Sequence, residues 1–97
     1  MEKVFVVYIM ANMKYGTLYI GVTSNLAKRV WEHKHHVVRG FTDRYRLEHL
    51  VYYEVHEAAE SAIRREKRLK HWPRQWKLEM IDGFNPEWKD LYASIAA

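Results

Sequence analysis

The sequence predicts an α+β domain, and three observations carry the prediction. Two apolar, β-branched runs, VFVVYIMA and GTLYIGVT, are separated by a polar break near the N-terminus. A third such run, LEHLVYYEVH, lies in mid-chain. Stretches with helical spacing of their apolar residues stand between and after these runs. At 97 residues the chain has room for one hydrophobic core, and with 48% hydrophobic residues it has the means to build one. One domain is expected, with a core over about residues 3–81 and a helical tail over about 82–97.

The first two runs read as a hairpin, with strands near residues 3–11 and 16–23 and a turn over Asn12-Met13-Lys14-Tyr15-Gly16. A turn centred between Met13 and Lys14 makes paired positions sum to 27 and sets Tyr8 directly opposite Tyr19. Gly21 inside the second strand marks a place where something approaches the backbone closely. Ser24 or Asn25 caps the next helix, which is expected to run to about Val37. Leu26, Val30 and Val37 form its apolar stripe, and Arg29 and His33, four apart, stack beside it. Residues 38–46, VRGFTDRYR, read as a loop in which Arg39, Arg44 and Arg46 alternate with aromatics, a composition suited to nucleic acid.

The third run reads as a strand with Leu50, Tyr52 and Glu54 on one face. Glu57 to Lys70 is the strongest helix, with Ala59, Ala62, Ile63 and Leu69 inward. Glu66 falls within that stripe. A carboxylate aimed at a core is costly unless it is paired or bound to a cation, and an ion pair with Lys70, four residues on, is the simplest account. Pro73 ends this helix, and a second covers Arg74 to Ile81, with Trp72 and Trp76 covering the core. Asp82-Gly83-Phe84 reads as a turn, and Asn85-Pro86-Glu87 as the start of a last helix to about Tyr92.

Composition narrows the function. The net charge is +4, which suits an anionic partner. With no cysteine there is no disulfide, thiolate metal site or cysteine nucleophile, in keeping with a cytoplasmic protein. No apolar run is long enough to cross a membrane. There is no HExxH pair, glycine-rich phosphate loop or Gly-x-Ser-x-Gly elbow.

What remains is an ordered set: Tyr8 in Val7-Tyr8-Ile9, Tyr19 in Tyr19-Ile20-Gly21, Arg29, His33, and Glu66 within RREKRLKHW. This set, over roughly residues 3–92, resembles the GIY-YIG nuclease superfamily. YIMA, GTLYIGVT, LAKRVWEHK, GFT and NPEWKDLY are similar to its small single-domain bacterial members. The resemblance implies a small, mostly antiparallel three-stranded sheet with helices against it. It implies metal-dependent hydrolysis of phosphodiester bonds in DNA, with Glu66 holding one Mg²⁺ or Mn²⁺ and Arg29 holding the scissile phosphate. Either tyrosine orients the attacking water, and His33 serves as general base or proton relay. Gly21, Arg39, Arg44, Arg65 and Lys70 are candidate substrate contacts, and the five catalytic candidates are expected to converge on one sheet face. A monomer or weak homodimer is expected. The alternative is a non-catalytic nucleic-acid-binding module on the same fold.

Overall fold

The computed structural model describes residues 3–37 and 40–96. Its elements are β1 (Phe5–Ala11), β2 (Leu18–Thr23), α1 (Leu26–Lys34), α2 (Phe41–Arg44), β3 (His49–His56), α3 (Ala59–His71), α4 (Arg74–Phe84) and α5 (Tyr92–Ile95). Val6 to Ala11 are apolar in an unbroken run, and all are buried. A strand of that kind needs cover on both faces and both edges, and β1 has both. It is the centre of an antiparallel sheet of order β2-β1-β3. This is the α+β architecture expected.

Alternation along β1 makes two cores. Val7, Ile9 and Ala11 pack with Val51, Tyr52, Ala62, Leu69, Ile81 and Trp88 beneath α3 and α4. Tyr8 and Met10 pack with Val30, Leu47 and Leu50 on the other side, with Leu26 of α1 and Ile95 of α5. No helix among the described residues is long and apolar enough to cross a membrane.

The register differs from the expected one. Tyr8 faces Gly21, and Met10 faces Tyr19, so paired positions sum to 29. The turn is wider than predicted: Gly16 N–H donates to Met13 at 3.0 Å, Asn12 Oδ1 accepts from Thr17 N at 2.9 Å, and Tyr15 takes a φ of 58°. A shift of two residues keeps every side chain on its face. Tyr8 and Tyr19 therefore remain neighbours, diagonal rather than opposite.

In β3 a bulge does change faces. Ile9 pairs with Tyr52 and Met10 with Leu50, leaving Val51 as the extra residue. Leu50 and Tyr52, expected on one face, lie on opposite faces for that reason.

Helix ends also differ. Asn25 is the cap of α1, accepting from Lys28 N at 3.2 Å. The helix stops at Lys34, short of Val37, and His36 turns the chain with a φ of 56°. Within the predicted basic loop, residues 41–44 form the short helix α2, while Arg39 lies outside the described residues. Ile63, expected inward, is 44% exposed; Ala62 and Leu69 are the residues of α3 that reach the core. Trp72 is half-buried, whereas Trp76 is exposed and meets it edge-on.

Asp82-Gly83-Phe84 is the last turn of α4 rather than a separate turn. Asn85, expected to start a helix, ends one. Its side chain donates to the Val51 carbonyl at 3.1 Å and accepts from Lys89 N at 3.1 Å, which ties the bulge to a turn instead of capping a new helix. The last helix is only Tyr92–Ile95.

Candidate active site

The pleat of β1 aims Tyr8 at the α1 layer, and Gly21 makes room for it. A Cβ on Gly21 would lie 2.7 Å from Cζ and from the hydroxyl of Tyr8. The close approach to the backbone at Gly21 is thus made by Tyr8 itself, and the position is closed to a substrate. Tyr19, half-buried, places its ring centroid 6.2 Å from that of Tyr8.

Arg29 and His33 descend from α1 one turn apart, as their spacing predicts. His33 is 2% exposed. Its Nε2 lies 3.0 Å from the Tyr8 hydroxyl and its Nδ1 3.1 Å from Oγ1 of Thr42. Burial, aided by the charge of Arg29, pushes the His33 pKa down to about 4, so the imidazole is neutral at neutral pH. A neutral imidazole has one donor and one acceptor, and the two hydroxyls satisfy both. Burial likewise pushes Tyr8 up to about 12, against the pull of the adjacent Arg29 guanidinium, so Tyr8 keeps its proton.

These partners bear on the expectation that His33 is a general base or proton relay. His33 is enclosed behind Tyr8 and holds the Tyr8 hydroxyl. Thr42, which closes the chain of hydrogen bonds, was missed because it sits among arginines in a stretch without periodicity. A hydroxyl buried inside a basic loop has only its place in GFT to signal it.

The side chain of Arg29 is 38% exposed. Its contact with the Tyr8 hydroxyl, foremost among its surroundings, raises its pKa further, so it is a permanent cation. Its ion pair with Glu32 is long, at 3.5 Å. Glu32 is the second residue not anticipated, though its spacing of three from Arg29 is a recognisable helical pair. Beside them a polar cleft of about 360 Å³ is lined by Thr23, Asn25, Lys28, Arg29 and Glu32.

Convergence on one sheet face holds for Tyr8, Tyr19, Arg29 and His33 and fails for Glu66. Ala62 and Leu69 seat α3 on the Val7 and Ile9 side, so Glu66 belongs to the opposite layer. Its carboxylate meets Lys70 Nζ at 3.0 Å, the pair that the helical spacing predicts. Arg65 reaches Glu54 of β3 with Nε at 3.2 and 3.1 Å and lies over Trp72 at 5.1 Å. One residue further round the helix, about 100° away, Glu66 falls on the flank nearer β2. Both β2 and β3 are edge strands, and the β2 edge is the one on the flank of α3 that carries Glu66. The shortest way for a substrate to reach both Arg29 and Glu66 is along that edge.

The candidate substrate contacts divide accordingly. Arg65 is engaged in packing α3 on β3 and α4. Lys70 is exposed but pairs with Glu66, and Arg44 stacks on Tyr45 at 5.6 Å and does not line the cleft. Among the described residues no group of three or more His, Asp and Glu could hold a metal ion.

The chain matches the model of the GIY-YIG catalytic domain over residues 4–79. It is 36% identical over 66 residues to UPF0213 proteins of Staphylococcus aureus, among them those of strains Mu3 and Mu50, covering 68% of this chain and 80% of each relative. No solved structure gives a significant match. The chain therefore belongs to the GIY-YIG catalytic-domain family of the nuclease superfamily.

Proposed function

We propose that this protein is a metal-assisted endonuclease that hydrolyses phosphodiester bonds in DNA. The observation that carries the reading is Arg29: a weakly paired guanidinium beside two phenols, at the mouth of a polar cleft. Arg29 binds the scissile phosphate through paired N–H donors and offsets the charge that grows in the transition state. Tyr8, buried and held by His33 with its proton on, positions the Arg29 guanidinium beside it. Tyr19, the more open phenol, orients the attacking water.

Glu66 suits a single hard divalent cation, which needs few protein ligands and keeps waters and a phosphate oxygen. Lys70 meets Oε1 alone and is 51% exposed, so it can yield. When bound there, Mg²⁺ or Mn²⁺ supplies Lewis-acid stabilisation of the phosphoryl oxygens. The test is nicking of supercoiled DNA with either metal, comparing wild type, Arg29→Ala and Glu66→Ala. Loss in both variants is expected; equal cleavage by all three ends the reading.

The opposite-layer placement of α3 favours one alternative, a binding module without catalysis. It predicts salt-sensitive DNA binding by the wild type and by Glu66→Ala alike, with no metal-dependent nicking by either.

A further inference from the structure

The positive charge of this chain is not spread evenly. Residues 64–77 hold seven of its sixteen lysines and arginines and one of its twelve acids. The remainder, with nine bases against eleven acids, is slightly acidic. The basic excess therefore lies on the second half of α3 and the start of α4, not on the arginine-rich loop before β3. Arg65 and Lys70 are spent on Glu54 and Glu66. Arg64, Lys67, Arg68, Arg74 and Lys77 have no carboxylate partner among the described residues.

Two of these face a cavity. A pocket of about 510 Å³ lies at the hairpin tip, lined by Asn12, Gly16, Leu18, Arg74 and Lys77. Arg74 shapes it, donating from Nη2 to the carbonyls of Tyr15 at 2.7 Å and Gly16 at 2.6 Å. Lys77, half-buried, brings the ammonium left over. This pocket and the Arg29 cleft stand at opposite ends of one strand. Leu18 begins β2 and lines the first; Val22 and Thr23 end it and line the second. At roughly 3.3 Å per residue the separation is about 15 Å. Neighbouring phosphates of one DNA strand advance about 3.4 Å along the axis but lie about 7 Å apart through space, so the gap matches about two to three nucleotides.

We infer that one strand of the DNA substrate runs along the outer edge of β2, with its scissile phosphate at Arg29 and a phosphate about two to three nucleotides away in the pocket of Arg74 and Lys77. The inference rests on the nuclease reading of Arg29. It assigns a second phosphate site and a minimum length of DNA on one side of the cut. The small domain gains grip there that the Arg29 cleft alone does not give.

Lys77→Glu tests it, because Arg74 also holds the hairpin. Duplexes are made in which the cut strand continues for about ten or about two nucleotides beyond the cut, on either side. On the long duplex of one polarity, Lys77→Glu is expected to lower kcat/KM about tenfold and to flatten the salt dependence by about one phosphate contact. On the short duplex the variant and wild type are expected to match. Lys77→Arg keeps the charge and should restore the long-duplex rate. Lys89→Glu, the same charge change at an exposed lysine that lines neither pocket, should leave the length dependence intact. Equal loss on long and short duplexes, or no loss on either, overturns the proposal. If the wild type cuts nothing, the nuclease reading fails on its own. Anisotropy binding to the same duplexes then decides: the same length-dependent weakening supports the phosphate site, and its absence removes it. Should Lys77→Glu fail to fold, Lys77→Gln carries the same comparison.

Discussion

On the α1 side of the sheet, Arg29 meets its carboxylate partner only at 3.5 Å and leaves its guanidinium over a cleft. On the α3 side, Arg65 holds both oxygens of Glu54, whose carboxylate also takes hydrogen bonds from Tyr52 at 2.5 Å and His56 at 2.6 Å. Each region is built from an arginine, a histidine, a tyrosine and a glutamate. The second is closed, and its joined charges clamp β3 to α3. The first is left open where a ligand would enter, and its own hydrogen bonds go into fixing Tyr8 instead. The contrast teaches that residue types do not mark a site. An unmatched charge at an open boundary does.

The largest expected effect separates the two arginine regions by function. Arg29→Ala should lower cleavage by about 10²–10³-fold while unfolding free energy stays within about 0.5 kcal/mol. Glu54→Gln should do the reverse. It leaves Arg65 uncompensated and costs about 1–3 kcal/mol in urea unfolding, with cleavage per folded molecule unchanged. A large stability loss in the first variant or an activity loss in the second would erase the distinction.

Acid should also distinguish them. Folded His33 binds its proton only near pH 4, against 6.5 ordinarily. The unfolded chain therefore gains the proton first, and stability falls as pH drops from about 6.5 towards 4, by up to about 3 kcal/mol. Burial alone would raise the Glu54 pKa, but hydrogen bonds from Tyr52 and His56 and the charge of Arg65 bring it below the ordinary 4.5. Its contribution is complete above that pH and is lost only below it. Urea midpoints against pH should show two windows, of which His33→Gln removes the upper and Glu54→Gln the lower.

Gly21→Ala should cost about 1–3 kcal/mol and reduce cleavage together, since its Cβ drives into the Tyr8 ring. A neutral outcome in urea unfolding and nicking would mean that Tyr8 is not held against β2. The smallest effect is expected for Arg44→Ala. It is exposed, stacked on Tyr45 and outside the lining of the cleft, and DNA affinity should change less than about twofold.

Much of the fold was legible because it follows from local periodicity. The apolar run of β1, the hairpin, the Asn25 cap and the Pro73 break are all consequences of neighbouring residues. The open half of the site was legible for the same reason: Tyr8 and Tyr19 share a face at either register, and Arg29 and His33 share a helix turn. The bulge at Val51 was not, since an extra residue in β3 shows only when β1 is laid beside it. Nor was the role of Asn85, whose chief partner, the Val51 carbonyl, lies 34 residues away.

By itself, then, the sequence determined the set of chemical groups, the strands and helices that carry them, and the family they belong to, because these depend on side-chain spacing along one element. Only the tertiary structure decided that His33 is buried and neutral, that Tyr8 rather than a ligand fills the space above Gly21, and that Glu66 lies across the sheet from Arg29. Those depend on which face each helix covers, and a helix that can bury its apolar stripe on either side of a sheet takes its side from the packing of the whole chain.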